Sequence, residues 1–186
     1  GSTEPLRPFL AVVGTLQTAF LGRAGITAVV LVTGAFAIGI WGLTRLLRGV
    51  GVEVTAAIAA GAVLMAGPAT RALTADTGLP TLAALGLLPW AIRIPMAPWS
   101  DGWGKRTARI AGTTVVIGAM AMLSPAMIWV PSAALGLLAV LNLDDARWWR
   151  AFLVGLGSTI LAVPMLLPWL TTADLTAYLA AGDAFW

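Results

Sequence analysis

The 186-residue sequence contains no cysteine and no histidine. Structural zinc, iron–sulfur clusters, haem ligation, disulfides, thiol catalysis and imidazole acid–base chemistry are therefore excluded within this chain. Charge is scarce as well: eleven Lys and Arg stand against eight Asp and Glu, for a formal net charge of +3. No basic tract is long enough to follow a phosphate backbone, so nucleic acid is not an expected partner. What fills the space is apolar. Hydrophobic residues make up 59% of the chain, charged residues 10%, and the mean hydropathy is +0.92. That composition fits a polytopic membrane protein and not a soluble domain. The basic residues fall in short clusters between apolar runs, so the high pI reports membrane topology. Any chemistry must use Asp, Glu, Arg, Lys or hydroxyls.

The chain opens Gly1-Ser2 without Met, in the manner of a cloning scar, and stops at Ala184-Phe185-Trp186. The opening Thr3-Glu4-Pro5-Leu6-Arg7-Pro8 is neither a signal nor a transit peptide. We read residues 1–186 as a single transmembrane helical domain, excerpted from a longer protein, with residues 171–186 starting an extracytoplasmic segment.

A spanning helix needs about 20 apolar residues, with about 17 tolerated. Ala24 to Thr44, Val54 to Thr70, Gly78 to Trp99 and Ala151 to Leu170 meet that requirement. Phe9 to Gly22 is shorter and contains Gln17, so it either spans or lies along the interface. Ile110 to Leu141 runs 32 residues without a charge. As one helix it would be about 48 Å long, more than a bilayer needs. Ser124-Pro125 lies near its middle, and proline removes a backbone donor while disfavouring helix in the residue before it. The expectation is a tight hairpin of two short helices, Ile110 to Leu123 and Ala126 to Leu141. The fold class is all-α: a polytopic transmembrane bundle with Pro-broken short helices, about six or seven in all.

Charge placement favours the hairpin. With it, Arg7, Arg45, Arg48, Lys105, Arg106, Arg109, Arg147 and Arg150 share one side, leaving Arg23 and Arg71 opposite and Arg93 within a span. The positive-inside rule then makes the richer side cytoplasmic. Trp41, Trp99, Trp103, Trp148 and Trp149 gather near that boundary and Trp169 near the other, as aromatic belts do. The Arg71 to Leu79 loop, the Ser124-Pro125 tip, the Arg23 corner and the tail after Thr171 face outward.

Three residues are candidates for function. A charge at the depth of Arg93 costs about 3 kcal/mol unless paired, snorkelling or facing water. It either holds the phosphate of a lipid-linked donor or snorkels toward cytoplasmic headgroups. Arg71 either binds a phosphate or sugar carboxylate on the outer face or anchors a helix end. Asp76 is either a base for an acceptor hydroxyl or the cap of a helix starting near Leu79, with Pro80 in its first turn. The run Thr172 to Asp174 reads as a helix start and Gly182 as its stop, so a short interfacial helix that includes Tyr178 is expected to account for Asp174 and Asp183. Asp144 and Asp145, with Arg147 and Arg150, read as solvated loop charges and not as a magnesium site. Gly14, Thr18 and Gly22, then Ala35 and Gly39, then Ala57 and Gly61 are small residues at four-residue spacing that mark faces for close helix packing. No metal ligands are expected.

The order of elements resembles a known family. It runs from a Pro-Phe-Leu opening through a Gly-rich span ending Arg45-Leu46-Leu47-Arg48 to an Ala-rich span ending Gly67-Pro68. Gly78-Leu79-Pro80, Leu87-Leu88-Pro89-Trp90, a basic turn, the Ser124-Pro125 break and Leu167-Pro168-Trp169 follow. The succession is similar to that of large actinobacterial membrane glycosyltransferases of GT-C type, arabinofuranosyltransferases included. The resemblance implies a multi-pass protein of the bacterial plasma membrane with cytoplasmic basic loops. It implies sugar transfer from a polyprenyl-phosphate donor to a cell-envelope glycan acceptor on the extracytoplasmic face. The remainder of the polypeptide or partner membrane subunits would complete the enzyme. No cofactor is implied within this chain, although the full-length enzyme would use a divalent cation. The catalytic acid of that class lies in an early outward loop for which no residue here is a convincing match. A secondary transporter or lipid flippase, and a non-catalytic membrane scaffold, are the other classes compatible with broken helices and a buried arginine.

Overall fold

The computed structural model describes residues 23–97 and 102–166, together with Thr15 and Thr18. Among these residues there are six α-helices, two short 3₁₀ segments and no strand. The expected Phe9 to Gly22 helix, Gly14 and Gly22 of the small-residue series, and Arg7, Trp99 and Trp169 lie outside the described residues. So do the tail from Leu167 onward and, within a described helix, the side chain of Asp76.

Helix α1 covers Ala24–Arg48 and carries Arg45 and Arg48 in its last turn, where cations offset the negative end of the helix dipole. Helix α2 covers Val54–Ala66 and ends at Gly67, whose backbone is extended, as expected of a residue before proline. Thr70, which we expected to close α2, instead lies in the next helix and donates its hydroxyl to the Leu64 carbonyl.

Helix α3 covers Pro68–Met96 and is two legs joined at Gly78, where φ is 71° and ψ is −161°. An L side chain rarely adopts that backbone conformation, so the bend sits on a glycine. The expected outward loop from Arg71 to Leu79 is therefore corrected: Pro68 opens a helical leg, and those residues are helical up to the bend. The restart at Leu79 with Pro80 in the first turn matches the sequence pattern, because a first-turn proline sacrifices no intrahelical bond.

Helix α4 covers Trp103–Leu123 and stops at Ser124, extended before Pro125. Its return arm is not one α-helix: Pro125–Trp129 is 3₁₀ and α5 covers Val130–Leu141. Helix α6 covers Ala146–Ala162, capped by the Asp145 carboxylate accepting from the Arg147 N–H at 2.8 Å, and a 3₁₀ turn Val163–Leu166 follows.

Close approaches fix the directions. Gly86 meets Ala35 and Gly39, while Trp90 lies over Gly42, so α1 and α3 run parallel. Thr81 bonds Ser124 at 3.3 Å and Gly112 approaches Ile94, so α3 and α4 are antiparallel. Gly136 faces Phe152, and Ser132 bonds Thr159 at 2.7 Å, making α5 and α6 antiparallel. The Ser158 hydroxyl lies 3.5 Å from the Ile110 carbonyl while Met165 reaches Gly118, so α4 and α6 run parallel.

These registers correct the tight hairpin. The chain does break at Ser124-Pro125, but its two arms pack chiefly through α6, which lies against both. The buried centre is Ala84, Ala91, Ile117, Met120, Ala121, Ile128, Ala162 and Leu166, shared by α3, α4, the 3₁₀ turns and α6. A second cluster of Ala35, Met65 and Leu82 joins α1, α2 and α3.

Among the described residues, three segments are long and apolar enough to cross a membrane: Gly25–Arg48, Gly78–Met96 and Ala146–Leu166. Large apolar side chains on their outer faces, among them Val29, Leu153, Ile160 and Leu161, are exposed, as suits a lipid-facing surface. Helix α2, with 13 residues, is about 20 Å long and falls short of a full span. Helix α4 has the length of a span but carries Lys105, Arg106 and Arg109 in its first two turns.

Candidate functional site

The alternating directions bring six helix ends together at one pole: the C-termini of α1, α3 and α5 and the N-termini of α2, α4 and α6. Eight of the ten described basic residues fall there: Arg45, Arg48, Arg93, Lys105, Arg106, Arg109, Arg147 and Arg150. Arg23 and Arg71 belong to the other pole. Leu46, Ile92, Met96, Leu135, Trp148, Ala151 and Phe152 form the apolar floor under the basic pole.

Above that floor is a cavity of about 350 Å³ lined by Arg45, Leu46, Gly49, Arg93, Met96, Ala97 and Arg147. Three helices thus contribute one guanidinium each, and no carboxylate is among the described lining residues. Each arginine lies over a tryptophan of its own helix. Arg45 is 5.4 Å from the centroid of Trp41, Arg93 is 5.8 Å from Trp90, and Arg147 is 5.8 Å from Trp148. At such distances the ring quadrupole attracts the cation. Helical spacing explains the first two pairs, since residues three and four apart share a face.

The Trp90 ring is itself fixed. Its Nε1–H donates to the Ile38 carbonyl at 3.1 Å, and its ring meets Trp41 edge-on with centroids 5.0 Å apart. Gly42 makes room for it, since a Cβ there would come within 2.5 Å of Trp90 Nε1. The aromatic frame of the cavity is thus built from the α1–α3 crossing. A second cavity, of about 400 Å³, runs between α4 and α6 along Ile110, Leu153, Val154, Gly157, Ser158 and Leu161, with Arg150 its one charged lining residue.

The arrangement redistributes the residues singled out in the sequence. Arg93 lies in the last turn of α3, half-buried, beside Arg45 and Arg147. Arg71 is exposed in the first leg of the same helix, 22 residues earlier by position, beyond the bend. The second leg alone, from Leu79 to Arg93, rises about 21 Å, so Arg71, beyond the bend, and Arg93 do not converge on one phosphate. The backbone of Asp76 lies in that first leg, two residues before Gly78. Asp174 and Asp183 lie outside the described residues. Asp145 spends its carboxylate on the α6 cap, and among the described residues no three acids gather as a metal site.

Sequence reasoning missed the partnership of Arg45 and Arg147 with Arg93. The recurring pairing of Trp and Arg at short spacing, in Trp41 to Arg45, Trp90 to Arg93 and Arg147-Trp148, was the available signal. Comparison with protein-family models, with curated protein sequences and with solved structures finds no match to this chain.

Proposed function

We infer that this chain is a multi-pass membrane domain, oriented with its basic pole in the cytoplasm, of a GT-C-type glycosyltransferase. That enzyme moves a sugar from a polyprenyl-phosphate donor to a cell-envelope glycan on the extracytoplasmic face. The observation that carries the membrane reading is the sorting of charge: eight of ten described basic residues share one pole of a bundle with apolar outer faces. The sugar-transfer reading is supported by the resemblance in the order of elements. In this orientation the Gly67-Pro68 corner, Arg71, the Gly78 bend and the Ser124-Pro125 break face outward, toward the donor. Arg71 is the residue here for the donor phosphate, and the catalytic acid belongs to another part of the protein.

The absence of cysteine makes the orientation directly measurable. Single cysteines at exposed Ala126 and exposed Leu143 are treated in intact cells with a membrane-impermeant maleimide. Ala126→Cys is expected to label and Leu143→Cys to label only after permeabilisation; the reverse pattern would overturn the orientation. For the donor, Arg71→Gln is expected to reduce crosslinking of a photoreactive polyprenyl-phosphate sugar to the full-length protein, while Arg48→Gln leaves it unchanged. Equal crosslinking in both variants would remove Arg71 from the site.

A further inference from the structure

We propose that the cavity between Arg45, Arg93 and Arg147 is a binding site for a phosphate-bearing anion, delivered as the headgroup of an anionic lipid of the leaflet at the basic pole. This goes beyond the sugar-transfer reading, whose donor is placed at the opposite pole, and rests only on the chain being in a membrane.

Two features point to an anion. Guanidinium groups from α1, α3 and α6 line one space, and no carboxylate is among its described lining residues to offset their mutual repulsion. Arg45 and Arg93 gain from the C-terminal dipoles of α1 and α3, which would account for them as simple end caps. Arg147 does not fit that account. It lies in the first turn of α6, at the positive end of the dipole, beside the Asp145 cap whose carboxylate accepts from the Arg147 backbone N–H. Its guanidinium, unlike its backbone, is directed to the cavity shared with Arg45 and Arg93, where an anion would meet all three.

Two further features point to a phosphate on a lipid. Guanidinium groups within 5.8 Å of tryptophan ring centroids are held by the rings, and a guanidinium's planar fork suits bidentate contact with phosphate oxygens. The remaining walls, Leu46, Met96 and Ala97, are apolar and continue into the floor formed with Ile92 and Phe152. A headgroup whose glycerol and acyl carbons contact that floor gains apolar burial that inorganic phosphate does not. The volume of about 350 Å³ suits such a group and lies within the range of small-ligand sites.

The test uses the full chain purified in a neutral detergent and titrated with short-chain phosphatidylglycerol, short-chain phosphatidylcholine or inorganic phosphate. Binding is read by tryptophan fluorescence and by thermal unfolding. Phosphatidylglycerol is expected to change the fluorescence and raise the unfolding temperature, with phosphatidylcholine inert. Arg93→Gln and Arg147→Gln should each weaken it by about tenfold, the loss expected for one charge-assisted contact. Lys105→Gln, at the same pole but outside the cavity, should change it less than about twofold, as expected of a screened surface charge. Arg93→Lys, which keeps the charge and the fold, should fall between wild type and Arg93→Gln. Equal loss in Lys105→Gln and Arg93→Gln would overturn the site in favour of a diffuse basic surface. Protection by inorganic phosphate equal to that by phosphatidylglycerol would overturn the lipid assignment.

Discussion

The two halves of the bundle are held together differently. Between α1, α2 and α3 the contacts are glycine against backbone: a Cβ on Gly86 would lie 2.6 Å from the Ala35 carbonyl oxygen, and one on Gly61 would lie 3.2 Å from the Ile40 Cα. Between α4, α5 and α6 the contacts are hydroxyls and large side chains: Ser132 with Thr159, Ser158 with the Ile110 carbonyl, and Leu135 and Phe152 over Gly155 and Gly136. In lipid, association gains nothing from hiding apolar surface, so it relies on dispersion between closely approaching backbones or on hydrogen bonds across helices. The first half uses mainly the one device and the second mainly the other.

Four substitutions break or sharpen that contrast. Gly86→Leu is the most damaging, because the obstructing atoms are backbone that cannot rotate away. A loss of about 3 kcal/mol is expected from overpacking, visible as a lower unfolding temperature in detergent. Gly78→Ala follows, costing about 1–3 kcal/mol for a Cβ in a positive-φ, extended conformation that is essentially reserved for glycine, and straightening or unfolding the bend in α3. Ser132→Ala removes one side of a buried hydroxyl pair, for which interhelical bonds in membranes average about 0.6 kcal/mol. Gly157→Ala is the control: it lies in the hydroxyl-bonded half with no atom within 4 Å of its would-be Cβ, so its stability should match wild type or exceed it slightly. A Gly86→Leu protein as stable as Gly157→Ala would erase the distinction between the halves.

Much of the frame was readable from the residues alone. The stop at Ser124-Pro125, the restart after Gly78 and the sharing of one pole by Arg45, Lys105 and Arg147 all follow from local chemistry and charge. The packing series Ala35 and Gly39, and Ala57 and Gly61, likewise fall on helix contacts, with Ala57 and Gly61 buried on α2. The helical leg before Gly78 was not readable, because Thr74, Asp76, Thr77 and Gly78 read as a turn while the local pattern offered no apolar stripe. The insertion of α6 between the arms of the expected hairpin was also hidden. It depends on Gly155 facing Leu135 and on Ser132 facing Thr159, pairings between segments that no local period reveals. The cavity arginines are 48 and 54 positions apart along the chain, so their convergence is a product of three helix directions and not of a motif.

The edge-on pair of Trp41 and Trp90 has a spectroscopic consequence. Two indoles 5.0 Å apart at 71° couple their electronic transitions and give a paired positive and negative band in circular dichroism that isolated tryptophans lack. Because one ring belongs to α1 and the other to α3, the amplitude of that couplet records the crossing of those two helices, without a label, while the helical signal records only that the helices exist. A variant that keeps its helices but loses the couplet has parted α1 from α3, and with them the frame on which Arg45 and Arg93 rest.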